Sequence, residues 1–125
     1  MTDIRPVSLV EPGERGRLDV AERVVERVAT IAAGEVDGVL STGSPLDGVL
    51  GRRYPRANAE VAGRRTSVSL DLAVAWAVPL ATTAASVRER VRSRVHELVG
   101  LDVDGVNVTV AKVVHEVRTS ERRVQ

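Results

Sequence analysis

Ten consecutive residues in the middle of the chain alternate between apolar side chains and small or polar ones. The apolar positions are Val68, Leu70, Leu72, Val74 and Trp76. The positions between them, called the open face below, are Ser67, Ser69, Asp71, Ala73 and Ala75. Because neighbouring side chains of a strand point to opposite faces, the pattern predicts a strand that is buried on one face only. Such a strand belongs to a sheet that carries helices on one side.

A helix is predicted before this strand, because apolar residues there recur at helical spacings of four, four and three. Asp19 and Glu22 have the spacing of an N-terminal capping box, and Gly34 marks the expected end of the helix. The stripe expected to be buried consists of Val20, Val24, Val28 and Ile31, with Val25 and Ala32 beside it.

A second helix is predicted after Pro79, which ends the strand. Thr82 or Thr83 is expected to cap the N-terminus of this helix, and Gly100 is expected to close it. The expected buried stripe is Ala84, Val87, Val91, Val95 and Leu98.

Three more strands are predicted at residues 36–41, 59–62 and 106–110. Gly63, Arg64 and Arg65 predict a hairpin turn, which makes the strands on either side of it antiparallel. The connection through the second helix predicts a right-handed crossover to a parallel last strand. The order α-β-β-β-α-β therefore predicts an α+β two-layer fold, with two helices on one face of a mixed sheet of about four strands.

The length of 125 residues predicts one domain. Residues 1–15 are expected to be a mobile N-terminal arm, residues 16–115 the single α+β domain, and residues 116–125 a charged flexible tail. Residues 42–57 form a loop that is rich in glycine and proline and longer than most connections.

The composition argues against an enzyme. The chain has no cysteine, so disulfides, thiolate zinc sites and cysteine nucleophiles are excluded. His96 and His115 would need carboxylates from the fold to bind a metal, and we expect both to be partly exposed instead. Asp71 would need a second carboxylate to act as a general base, and pairing with Arg64 or Lys112 of a neighbouring strand is the favoured reading. No cofactor is predicted.

Arginines supply the alternative hypothesis, a small α+β nucleic-acid-binding domain. Residues that are two apart on a helix point about 200° apart, so the arginines of the second helix alternate between two flanks. The net charge of +1 gives no general attraction to nucleic acid, which disfavours this reading. The arginines in question are Arg88, Arg90, Arg92 and Arg94 of the helix and Arg52, Arg53 and Arg56 of the long loop.

No stretch of the sequence approaches the roughly 18 apolar residues that a membrane span requires. The first residues also lack the basic and apolar regions of a signal peptide. Both observations predict a protein without a signal peptide and without a transmembrane segment of its own.

Several segments, taken in order, resemble those of one protein family. They are LDVAERVVERVATIAA at 18–33, EVDGV at 35–39, DGVLGRR at 47–53, VSLDLAVAWAVP at 68–79, VRERV at 87–91 and VGLDVDGVNV at 99–108. Their order and spacing over about residues 17–113 resemble the alkaline shock protein family, the Gls-type general stress proteins of Gram-positive bacteria. Trp76 stands where the family commonly has Tyr, Ala77 stands where it commonly has Gly, and Thr82 and Thr83 replace its usual acidic start of the second helix.

The resemblance implies a non-enzymatic protein-interaction module in the response of the cell envelope to stress. It implies a cytoplasmic protein, peripheral at the inner face of the cell membrane through a membrane-anchored protein partner. It also implies self-association. The small side chains of the open face favour a homo-oligomer formed through that face or through a sheet edge. The candidate interaction residues are Arg52, Arg53, Arg56, Ser69, Asp71, Ala73 and Ala75.

Overall fold

The alternating segment forms the central strand of a four-stranded sheet. The computed structural model describes residues 12–41 and 53–115. Their elements in chain order are α1 (Pro12–Gly34), β1 (Val39–Leu40), β2 (Arg56–Ala62), β3 (Arg65–Ala75), α2 (Leu80–Val99) and β4 (Asp102–Val114). The predicted order and the α+β class are confirmed.

The sheet is mixed. β4 runs parallel to β3 along residues 65–75, while β1 and β2 are antiparallel to β3. β4 pairs with one edge of β3 along its whole length. On the other edge of β3, β2 pairs with residues 65–71 and β1 pairs with residues 73–74. The hairpin turn lies at Gly63, whose φ of 62° is in the left-handed region that glycine adopts at little cost.

Both helices pack on one face of β3. The apolar positions Val68, Leu70, Leu72 and Val74 are at most 1% exposed and share one core cluster with both helices. Burying such a side chain contributes roughly 1.5–3 kcal/mol. One-sided burial of β3 therefore supplies much of the core, and it leaves the other face of the sheet without a helix.

α1 differs from its prediction in where it begins and in which stripe it buries. It begins at Pro12, so the predicted boundary between an arm and the domain at residue 15 lies inside the helix. The capping prediction for Asp19 and Glu22 is wrong, because both lie within α1. Val20, Val24 and Ile31, predicted to be buried, are 59%, 43% and 55% exposed. The buried stripe is instead Val25, Ala29, Ala32 and Ala33, with Val28 packed at its margin.

The N-cap of α2 lies three residues earlier than the nearest predicted cap. Pro79 occupies the N-cap position, and the N–H of Thr83 donates to the carbonyl of Pro79 at 2.9 Å. Val87, Val91 and Val95 are buried as predicted. Leu98 is 66% exposed, so its predicted burial is wrong. The predicted end of the helix is confirmed, because Gly100 has a φ of 82° and donates to the carbonyls of Val95 and His96.

The alternating sequence pattern continues to Trp76, one residue beyond the end of β3. β3 ends at Ala75, and the predicted burial of Trp76 is wrong, because its side chain is 61% exposed. The Trp76 N–H donates to the carbonyl of Val114, and the indole stacks on the ring of His115 at 4.4 Å between centroids. The next residue, Ala77, has a φ of 76°, which turns the chain out of the sheet toward α2.

Ala77→Gly is expected to stabilise the fold. A residue with a Cβ loses roughly 1–2 kcal/mol in the left-handed region, whereas glycine costs roughly 0.5–1 kcal/mol in the unfolded chain. The free energy of unfolding in urea should therefore rise by about 0.5–1 kcal/mol. The matched control is Ala75→Gly in β3, which should lower the free energy of unfolding. Equal effects of the two substitutions would contradict strain at Ala77.

Candidate functional site

The centre of the open face of β3 is flanked by uncharged polar side chains from both neighbouring strands. The register places Ser69 between Asn58 of β2 and Asn107 of β4. All three residues are exposed. Hydroxyl and carboxamide groups each donate and accept hydrogen bonds, so the centre of this face presents both kinds of group on a nearly flat backbone surface.

Asp71 is the charged residue of β3 on the open face. It is half-buried and lies between Arg56 of β2 and Thr109 of β4. The predicted neighbours of Asp71 are wrong: Lys112 lies opposite Ala73, and Arg64 belongs to the hairpin turn. Within the described ranges Asp71 takes part in no ion pair, and the same holds for Arg56.

Two of the small residues of the open face are less accessible than the alternation predicts. Ala73 has no exposed surface and lies between Leu40 of β1 and Lys112 of β4. Ala75 is half-buried near the end of the strand. The accessible part of the open face is therefore centred on Ser69, with Asp71 at its margin, and Ala73 is not available for direct contact.

The β2 edge of the sheet is closed by two carboxylates from α1. Glu26 accepts a hydrogen bond from the backbone N–H of Ala59 at 3.0 Å, and Glu22 accepts one from Val61 at 3.1 Å. The two glutamates are four residues apart and therefore lie on one side of the helix. Their carboxylate oxygens reach two N–H groups of β2 that are two residues apart and point away from β3. The edge strand is thus protected from pairing with another chain.

The opposite edge is formed by β4, which has 13 residues. Two register shifts interrupt its pairing with β3, near Thr66 and near Leu72. At the first of them, Asp104 accepts a hydrogen bond from the Nε of Arg65 at 2.6 Å, and this bond raises the pKa of the exposed guanidinium. Such irregularities bend an edge strand and weaken it as a template for strand pairing.

Several of the candidate arginines lie near one acidic residue, Glu35. Arg90 and Arg94 of α2 converge on one carboxylate oxygen of Glu35, at 2.8 and 3.2 Å, and so join the two helices. Arg53 is exposed beside the end of α1, Arg56 begins β2, and Arg52 lies outside the described residues. Arg53 lines the same hollow as Glu35, so a carboxylate lies among Arg53, Arg90 and Arg94.

Neither histidine belongs to a metal-binding cluster. His96 Nδ1 lies 3.4 Å from a carboxylate oxygen of Asp102, and both side chains are about two-thirds exposed. His115 stacks on Trp76. Residues 12–41 and 53–115 contain no group of three or more histidines or carboxylates that is close enough to hold a metal ion. The same ranges contain no helix that is both long and apolar enough to cross a membrane.

One known protein family matches most of the chain. The model of the alkaline shock protein 23 family, described as having a cell envelope-related function, matches residues 10–115. The chain belongs to this family. The resemblance found in the sequence is thereby confirmed, and a cell envelope-related function follows from family membership.

Individual similar proteins add little about activity. YqhY of Bacillus subtilis (strain 168), described as uncharacterized, is 26% identical over 116 residues, which is 87% of this chain and 85% of YqhY. Among solved structures, a variant of the MamM CTD has a TM-score of 0.46 at 18% identity, and the nickel form of another variant has 0.46 at 17%. Each covers 72% of this chain and 96% of the MamM chain.

Glu26→Ala is expected to destabilise this domain and to open its β2 edge. A hydrogen bond to a charged group contributes about 1.5–3 kcal/mol when it is buried, and Glu26 is half-buried, so we expect a loss of about 1–2 kcal/mol in urea unfolding. Adding Glu22→Ala should increase the loss and promote aggregation, measured by light scattering over time.

Two controls separate the edge contact from a general loss of charge. Glu97→Ala removes an exposed carboxylate of α2 and should leave stability and scattering unchanged. Glu26→Gln keeps an acceptor oxygen and should retain part of the stability. If Glu26→Ala matched Glu97→Ala in both assays, the carboxylates would not be what closes the edge.

Proposed function

We propose that this chain is a non-enzymatic protein-interaction module of the cell envelope stress response, and that it self-associates through the open face of its sheet. A membrane-anchored protein partner recruits it from the cytoplasm to the inner face of the membrane. The cell envelope-related function of the family supports the setting. The observation that carries the mode of self-association is the helix-free face of the sheet around Ser69.

A second copy of the chain suits the open face because the face complements itself. Ser69, Asn58 and Asn107 each donate and accept hydrogen bonds, so a copy turned about a two-fold axis meets groups with which it pairs. Arg56 and Asp71 are opposite charges on adjacent strands, and neither has an ion-pair partner in the described ranges. A two-fold axis near Ser69 brings Arg56 of each copy toward Asp71 of the other.

The structure supports the face over the edges as the contact. The outward N–H groups of Ala59 and Val61 on β2 are already bound by Glu26 and Glu22. β4 is interrupted by two register shifts. These contacts and register shifts hinder the pairing of either edge with a second chain, whereas the area around Ser69 is exposed.

The nucleic-acid alternative receives less support from the same contacts. Two of the four arginines of α2 form ion pairs with Glu35, which reduces the positive charge that the helix presents to phosphate. No observation favours this function over a protein-interaction module. Salt-dependent binding of DNA or RNA that weakens after Arg53→Ala and Arg56→Ala would restore it.

Mixing two charge-reversed variants tests the open-face contact. Arg56→Asp places two like charges opposite each other at the interface, and so does Asp71→Arg, so each variant alone is expected to remain a monomer. An equimolar mixture pairs Asp with Arg across both contacts and should assemble like the wild type. The measurement is multi-angle light scattering at several concentrations, with Arg92→Asp on the exposed side of α2 as the control.

Three results would contradict the open-face contact. One is a wild-type chain that stays monomeric at the highest concentration. Another is assembly of either single variant to the wild-type extent. The third is a mixture that fails to assemble although both variants keep the wild-type circular dichroism spectrum.

A further inference from the structure

The solvent side of α1 carries an apolar stripe that the fold does not use. Val20, Val24 and Ile31 are 59%, 43% and 55% exposed. At about 100° per residue, these three side chains fall within about 40° of one another on the helix. The buried stripe around Ala29 lies roughly 130° away, so α1 presents two separate apolar faces.

Together with Arg27, the exposed residues repeat with the spacing of a coiled-coil seam. Val20, Val24, Arg27 and Ile31, called the outer seam below, are separated by four, three and four residues. This is the alternation of a heptad, in which one helix packs lengthwise on another. The outer seam extends about 16 Å along the helix. A cation inside such a seam selects a partner that carries an anion at the facing position.

Positive charges predominate around the outer seam. Arg17 and Arg23 lie about 60° to either side of Val20, and Arg27 lies within the seam itself. The nearest carboxylate is the exposed Asp19, about 100° from Val20 and beyond Arg23, while Glu22 and Glu26 bind the backbone of β2. A surface with three arginines and three exposed β-branched side chains complements an apolar ligand with negative charge.

An apolar hollow continues the outer seam on one side. It opens next to Val20, and its other walls are contributed by α1, β2, the hairpin turn and the start of β4. Large aliphatic or aromatic side chains of a ligand that lies along α1 would fill this hollow. The lining residues besides Val20 are Arg17, Leu18, Ala21, Val61, Gly63 and Leu101.

We propose that the outer seam is the docking site for an acidic amphipathic helix of a protein partner. This deepens the proposed function, on which it rests, because it names the chemistry of the recruiting partner. A second copy of this chain does not suit the seam, because α1 against α1 would bring six arginines together against two carboxylates, those of Asp19. A bilayer is a poorer match, because a helix that lies in a membrane surface has a broad apolar face, whereas this arc is about 40° wide.

The test uses the full chain and two synthetic helical peptides of three heptads. Both peptides have an apolar seam and differ only at its central position, which is Glu in one and Lys in the other. In fluorescence anisotropy, the wild-type chain should bind the Glu peptide with a Kd of about micromolar magnitude, at least tenfold tighter than the Lys peptide. Arg27→Glu should reverse this preference, and Arg92→Glu on α2 should leave it as in the wild type.

Several outcomes would overturn the proposal. One is equal affinity of the wild type for both peptides. Another is an Arg27→Glu variant that keeps both the wild-type preference and the wild-type circular dichroism spectrum. Binding of the wild type to phosphatidylglycerol vesicles, lost in Arg27→Glu while neither peptide binds, would assign the seam to a bilayer instead.

The same samples separate this proposal from the proposed self-association. Light scattering of Arg27→Glu should equal that of the wild type, because the outer seam lies on α1 and the open face lies on the far side of the sheet. A wild type that assembles but does not discriminate between the peptides would overturn the outer seam alone. A wild type that discriminates but stays monomeric would overturn the open-face assembly alone.

Discussion

The fold depends on the packing of one strand against two helices. β3 buries Val68, Leu70, Leu72 and Val74 under α1 and α2, and the side chains between them point to the other face of the sheet. Since both helices are needed to cover the apolar face, neither is available for the open face. A two-layer domain of this length therefore keeps one sheet surface for contacts with other molecules, and the polar residues around Ser69 make that surface compatible with water before assembly.

α1 has three roles, each on a different side of the helix. Its alanines pack into the core, and their small size brings the helix backbone close to the sheet. Glu22 and Glu26 bind the β2 backbone, which closes an edge that a second chain would otherwise extend. The outer seam remains in solvent with its arginines. Because one rigid helix carries all three, a partner helix docked along the seam would be held at a fixed position relative to the sheet.

The sequence predicts the elements that depend on local pattern and misses those that depend on distant contacts. The alternation of β3 identifies its buried face, because period-two burial leaves a direct mark on the residue types. It fails at Trp76, because the end of β3 is set by the backbone turn at Ala77, which apolar periodicity does not indicate. The sequence does carry one signal of this turn: Ala77 stands where the family commonly has glycine, the residue that adopts a positive φ most easily.

α1 illustrates a second limit. Its sequence contains two apolar stripes, and the larger side chains of Val20, Val24 and Ile31 favoured the wrong one. The fold buries the stripe of Val25 and three alanines, whose mostly small side chains allow α1 to pack closely. The contacts of Glu22 and Glu26 with β2 span 39 and 33 residues of sequence, so only the fold reveals them. The spacing of four between Glu22 and Glu26 is present in the sequence, but it is equally typical of a solvent-exposed helix face.

The most direct test of this account measures the accessibility of the two surfaces in one set of samples. The chain has no cysteine, so Ser69→Cys and Val24→Cys each introduce a single thiol. We predict that the maleimide labelling rate of Ser69→Cys falls as protein concentration rises. We predict that the rate of Val24→Cys stays constant and falls only when the acidic peptide is added. A concentration-independent rate at Ser69→Cys, or a rate at Val24→Cys that falls with protein concentration alone, would contradict the assignment of the open face to self-association and of the outer seam to a partner.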